Sequence, residues 1–292
     1  MPEAIPLQGT YPQASPDVMA ATPAPVALNA LIALAERLLS RREGMVVLGV
    51  SGAQGSGKST LAVALRSHFA GRSIATATLS LDDLYHTRAM RQRLAAEVHP
   101  LLMTRGVPGT HDVALGLATI AALARGEAVA MPRFDKARDD RRPPSEADRV
   151  PGATRLLLFE GWCLGARPQP QADLVRPINA LEASDDPDGR WRRHVNAALA
   201  DGYAALWATI DALAMLRAPG FAAVAGWRRQ QEQGLRDAVG AAPGVMNDAE
   251  LHRFVAHYER ITRHLLIDLP DRADLVIDLD PDRTPIGVTV RR

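Results

Sequence analysis

Short apolar runs alternate with amphipathic stretches through most of the chain, and that alternation predicts its elements. Val26 to Arg42 places Leu28, Leu31, Ile32, Ala35, Leu38 and Leu39 at helical spacing and ends in Arg41 and Arg42, which suit a helix C-terminus. Met45 to Val50 is a short, β-branched apolar run, the pattern of a buried strand. Ser59 to Ala70 reads as a helix stopping at Gly71, and Ile74 to Leu81 as a second strand. Thr87 to Val98 and Val113 to Ala124 read as helices, Ala128 to Met131 as a short strand, and Arg155 to Trp162 as an unbroken apolar strand. One helix is expected from Arg190 to about Ile210, a strand from Ala212 to Leu216 and a helix from Phe221 to Val239. Asn247-x-x-Glu250 is a capping box that opens a last long helix through His264, and Ala273 to Leu279 closes the sheet as its final strand. Strand, helix, strand with short links implies a parallel sheet wrapped by helices, an α/β doubly wound fold.

Three stretches fall outside that rhythm. Residues 1–25 hold six of the 21 prolines and read as a flexible tail, leaving 26–292 as a single domain. The segment after Lys136 as far as Pro151 is dominated by Arg, Asp, Glu and Pro and reads as a solvated loop. Residues 165–190, with the acidic run Asp185-Asp186-Pro187-Asp188, read as an irregular excursion.

Composition narrows the classes. At 292 residues, 47% hydrophobic and 23% charged, the chain can bury a sizeable core. A net charge of +1 argues against a nucleic acid or an anionic membrane held by bulk electrostatics. The single cysteine, Cys163, excludes an internal disulfide framework and fits a reducing compartment. No apolar run approaches the roughly 20 residues of a membrane span, and no signal peptide is legible; the expected location is cytoplasmic.

The chemistry concentrates at the first strand–helix junction. Gly52-x4-Gly57-Lys58-Ser59 is a phosphate-binding loop flanked by the strand and helix such a loop requires. Glycines let the backbone turn tightly and bring successive N–H groups close to an anion, and the following helix adds its unpaired N–H groups and the positive end of its dipole. Gly52, Gln54, Gly55, Ser56, Gly57, Lys58, Ser59 and Thr60 are the expected nucleotide contacts. Lys58 can reach the β- and γ-phosphates, and the Ser59 hydroxyl can ligate magnesium. ATP and Mg2+ are the expected cofactors, on a P-loop-type sheet with a lid segment.

Acids at strand ends complete the set. In open α/β sheets, ligands sit beyond the carboxyl ends of the strands. Asp82 and Asp83 follow the second strand, and alternation along a strand sends them to opposite faces, so one of them works on substrate. Asp82 is the expected catalytic base toward an acceptor hydroxyl. Glu160 ends an apolar strand as a Walker B acid does and is the second expected magnesium group. In the stretch 105–112, Arg105 and His111 suit a small anionic acceptor, with Thr110 or Asp112 capping the next helix. Lys136 stands at the root of the polar loop, and the Trp227–Glu232 helix face, Arg228 included, is a candidate lid over the γ-phosphate.

Together these residues resemble the uridine kinase, phosphoribulokinase and pantothenate kinase group of P-loop kinases: the phosphate loop, Asp82-x-Leu84-Tyr85, His99-Pro100 and Glu160-Gly161. The segments Arg105–Asp112, Pro132–Lys136, Phe159–Trp162 and Trp227-Arg228-x-Gln230-x-Glu232 resemble its D-glycerate 3-kinase branch, plant and fungal type, over about residues 45–280. The resemblance implies transfer of the ATP γ-phosphoryl group to the 3-hydroxyl of D-glycerate. It implies Asp82 as base, Lys58, Ser59 and Glu160 on phosphates and magnesium, and Lys136 beside the acceptor or the transferring group. Arg228 then belongs to the lid, with Tyr85, Arg105, His111 and Asp112 toward substrate. Two alternatives stand beside it: the same fold with another small hydroxyl acceptor such as pantothenate or a nucleoside, and a nucleotide-driven switch or accessory ATPase. The guanine-reading Asn-Lys-x-Asp of a GTPase is absent from the sequence.

Overall fold

A computed structural model describes residues 24–239 and 246–291; most of the proline-rich tail lies outside them. The first described helix, α1 (Pro25–Arg41), opens on Pro25 itself, whose missing N–H costs nothing in a first turn. The main sheet has six strands: β1 (Val46–Gly52), β2 (Thr76–Ser80), β3 (Leu156–Gly161), β4 (Ala212–Arg217), β5 (Leu275–Leu279) and β6 (Pro285–Val290). Their spatial order is β6-β5-β4-β1-β3-β2, parallel throughout except for β6.

Both faces of this sheet are covered along β1 and β3, buried at every residue, which is why those strands read as continuous apolar runs. On one face Val46, Leu48, Val50, Leu156 and Leu158 pack against α1, α2 (Lys58–Ala70) and the Trp227 side of a helix over Phe221–Val239. On the other, Val47, Leu157 and Phe159 meet α4 (Val113–Ala124), which follows α3 (Arg88–Glu97), and the later helices α5 (Ala180–Asp185), α6 (Arg190–Ala200) and α7 (Gly202–Trp207). The helix over Phe221–Val239 is α8, and α9 (Asp248–Asp268) follows with the expected Asn247/Glu250 capping box.

Several expectations are corrected. The strand expected over Ile74–Leu81 runs over Thr76–Ser80, and Leu81–Leu84 form a 3-10 turn capped by the Ser80 hydroxyl, which accepts from the Asp82 N–H at 3.3 Å. Asp82 and Asp83 therefore diverge because a helical turn rotates them apart, not because a strand alternates. The expected helix from Arg190 to Ile210 is two, broken at Asp201, with Gly202 set against Val113 of α4. The sheet does not close at Leu279: the Asp280 carboxylate accepts from the N–H groups of Asp282 and Thr284, turning the chain into the antiparallel edge strand β6.

The polar segment after Lys136 is not a featureless loop. Phe134–Asp135 pairs antiparallel with Asp140–Arg141, and Val129–Ala130 with Arg149–Val150. Residues 165–190 are likewise ordered by buried charge. Asp186, fully buried, accepts from Arg192 at 2.9 Å, and Glu182, also fully buried, holds Arg260 through two contacts at 2.7 and 2.6 Å.

Candidate active site

Register brings the chemistry together. Glu160 on β3 lies beside Val50 on β1 and Ser80 on β2, so the phosphate loop, the Walker-type acid and the Asp82 turn leave the sheet at one edge. The loop is built for an anion. Gly55 and Gly57 have φ of +79° and +90°, the left-handed region that L side chains resist. A Cβ on Gly52 would lie 2.8 Å from the Ser56 hydroxyl oxygen, and one on Gly55 would lie 2.8 Å from Cβ of Trp227. The Ser56 hydroxyl is buried without a protein partner, as a group awaiting a phosphate oxygen would be. Lys58 is buried at the first turn of α2, its Nζ donating to the Ala53 carbonyl at 3.1 Å. Burial lowers its pKa, and the nearby Glu160 and Asp82 carboxylates oppose that.

A magnesium ion fits the residues present. The Ser59 hydroxyl donates to Glu160 Oε1 at 3.3 Å, placing one hydroxyl and one carboxylate side by side. Among the described residues no three His, Cys, Asp or Glu side chains form a self-contained metal cluster. Such sparse protein donors are what Mg2+ takes when substrate phosphates and water supply the rest of its octahedron.

Asp82 is gripped on both oxygens. Tyr85 donates its hydroxyl to Oδ1 at 2.6 Å, and Lys136 donates from Nζ to Oδ2 at 2.7 Å. Burial would raise the Asp82 pKa, but the Lys136 ammonium and these hydrogen bonds outweigh it and hold the carboxylate well below its usual range. The same ammonium is held charged, its pKa raised chiefly by Asp82. Asp83 turns the other way, accepting from the Phe134 N–H at 3.2 Å and Arg133 at 3.1 Å. Burial pushes it up to about 6 in spite of Arg133, so Asp83 supports the turn while Asp82 faces the site.

The remaining expected residues divide. His111 is buried and stacks on Tyr85, ring centroids 4.7 Å apart, and burial lowers its pKa to about 3. Asp112, rather than Thr110, caps α4, accepting from the Leu115 N–H at 2.9 Å and from Arg141 at 2.8 Å; Thr110 ties Val107 to Gly106 instead. Arg105 pairs with Asp139 and lies over the Phe134 ring. Arg228 bonds the fully buried Glu232 at 2.8 Å, bracing α8, the helix whose Trp227 covers Gly55. Gln54 and Thr60 lie on the loop and the first turn of α2.

Sequence reasoning missed several supports. Arg283, beyond β5, donates to the Gly55 carbonyl at 2.7 Å and lies over the Trp227 ring; no spacing signal connects positions so far apart in the chain. Arg133 was legible only as part of the Pro132–Lys136 segment, and Arg141 only as a charge in the polar segment after it. Tyr203 sits beneath His111, 2.5 Å from its Nδ1.

Residues 47–166 match the Phosphoribulokinase / Uridine kinase family. The uncharacterized kinase mug58 of Schizosaccharomyces pombe is 36% identical over 222 residues, covering 73% of this chain and 78% of that protein. The chloroplastic D-glycerate 3-kinase of Arabidopsis thaliana is 34% identical over 261 residues, 82% of this chain, which spans about half (54%) of the plant protein. Among solved structures, the D-glycerate 3-kinase of Cryptococcus neoformans var. grubii superposes with a TM-score of 0.72 at 24% identity, covering 91% of this chain and 99% of that one, a likeness of fold. No helix among the described residues is long and apolar enough to cross a membrane.

Proposed function

We propose that this chain, which belongs to the phosphoribulokinase / uridine kinase family of P-loop kinases and is a phosphotransferase with an alcohol acceptor, uses ATP and Mg2+ to phosphorylate the 3-hydroxyl of D-glycerate. The carrying observation is the convergence of Asp82, Lys136, Glu160 and the phosphate loop at one sheet edge, with a neutral His111 behind Tyr85. The name of the plant relative supports glycerate as the acceptor.

In this reading the loop N–H groups, Ser56 and Lys58 bind the triphosphate, and Ser59 and Glu160 hold Mg2+, which neutralises charge on the phosphate oxygens when bound. Asp82 orients the acceptor hydroxyl and takes its proton. Lys136 has two roles in sequence. Paired with Asp82 alone it neutralises the carboxylate; with a γ-phosphoryl group close by it shares its charge with that group, and the Asp82 carboxylate becomes a better proton acceptor. Tyr85 keeps Oδ1 fixed, and Oδ2, which Lys136 also bonds, is the oxygen offered to the substrate. Catalysis is positioning plus electrostatic stabilisation. Purified protein with ATP, Mg2+ and a panel of D-glycerate, pantothenate and nucleosides tests it: ADP release is expected with D-glycerate. Release with none above background, or with another acceptor alone, overturns the glycerate assignment.

A further inference from the structure

The Tyr203–His111 pair carries an inference about how the acceptor is read, resting on the placement of the acceptor beside Asp82. Tyr203 on α7 is buried, edge-on to Trp207 and to the His111 ring at centroid distances of 5.5 and 5.7 Å. Its hydroxyl oxygen accepts from the Gly109 N–H at 3.0 Å and lies 2.5 Å from His111 Nδ1. Among the described residues, Nδ1 is the acceptor within reach of the phenol proton. A proton that goes there makes Nδ1 the bare nitrogen and puts the imidazole proton on Nε2. His111 Nε2 is itself buried and has no protein partner. The ring is held flat against Tyr85, whose hydroxyl grips Asp82, so this unpaired nitrogen lies one ring removed from the base.

We propose that Tyr203 is a positioning residue that locks His111 in its Nε2–H tautomer, so that the acceptor is met by a neutral hydrogen-bond donor rather than by an imidazolium. The acceptor class this selects carries a second oxygen, carboxylate or hydroxyl, near the reacting alcohol. A molecule without that oxygen leaves a buried N–H unpaired and is rejected. The low pKa that burial gives His111 agrees with a ring that stays neutral at working pH.

The test uses the full chain with isotopically labelled histidine. The 13Cδ2 shift of His111 separates the two neutral tautomers; the Nε2–H form is expected in the wild type and a mixture in Tyr203→Phe, which keeps the packed ring. Tyr203→Phe is also expected to raise the acceptor KM about tenfold while leaving the ATP KM unchanged, the size of one neutral hydrogen bond. His111→Gln offers an amide donor that has no tautomer to lock, so adding Tyr203→Phe to it should change the acceptor KM no further. An Nδ1–H wild-type tautomer, a tautomer unmoved in Tyr203→Phe, or equal rises in both KM values would overturn the proposal. If glycerate is not turned over but another alcohol is, the substrate reading fails separately, and the same measurements made with that alcohol decide this one.

Discussion

Replacing Asp82 with Asn separates chemistry from binding. Asn keeps the shape of the side chain and an Oδ1 that can still accept from Tyr85, but it turns an amide donor toward the Lys136 ammonium, 2.7 Å away in the native pair. The Lys136 side chain is 52% exposed and can swing to water, so losing that pair costs the fold no more than about 1 kcal/mol. None of the loop groups assigned to the triphosphate bonds Asp82, so ATP binding is unchanged. What disappears is the proton acceptor, a contribution of about 10²–10⁴ in kcat, or about 3–5 kcal/mol of barrier. Steady-state ADP release at saturating ATP and acceptor, alongside calorimetric ATP binding, measures both halves. Phosphoryl transfer at the wild-type rate, or loss of ATP affinity in step with kcat, refutes the assignment of Asp82 as the base.

Four further outcomes follow. Glu160→Gln should raise the Mg2+ concentration for half-maximal activity by about 10–100-fold, with partial recovery in excess Mg2+; an unchanged titration removes Glu160 from the metal site. Gly57→Ala, with open space around its Cβ, should lose about 1–2 kcal/mol of stability to its left-handed backbone, and Gly55→Ala more, because its Cβ meets Trp227 at 2.8 Å; equal losses by urea unfolding would refute the close approach of α8. Glu182→Gln should destabilise by about 3–5 kcal/mol by stranding Arg260, and a loss under about 1 kcal/mol in the same assay would contradict a buried pair. Stability should fall as pH drops from about 6.5 to 4. His111 and His257 are depressed by burial to about 3 and about 4, so the unfolded chain takes their protons first. Asp83, raised to about 6, opposes them from about pH 6 downward, through most of that window, by gaining its proton in the folded state first. The net loss is on the order of 1 kcal/mol per pH unit, and stability that is flat or rises on acidification would contradict the burial of the two histidines.

What could be read from sequence was whatever physics confines to neighbours in the chain. The strand–loop–helix around Lys58 announces itself because glycine spacing, strand and helix start all lie within a few residues, and the Asn247 capping box is equally local. Lys136 was singled out from its place at a strand end, and its meeting with Asp82 depended on a pairing that only folding creates. The acidic run around Asp186 looked irregular because its partner, Arg192, gives no sign in sequence of being drawn into the core with it. The edge strand β6 was missed because its alternation, Ile286, Val288 and Val290, is mostly exposed and short. The neutral state of His111 was illegible because composition shows an imidazole among basic and acidic neighbours, whereas burial in the folded chain lowers its pKa. Local signals thus carried the reaction class, and long-range contacts arrange the side chains around Asp82.

Phosphorus NMR of the reaction of purified protein with ATP, Mg2+ and D-glycerate addresses the central claim most directly. The account predicts one new monoester resonance, that of 3-phosphoglycerate, appearing with ADP in equal amounts. A 2-phosphoglycerate signal, or inorganic phosphate accumulating with ADP and no ester, would contradict it.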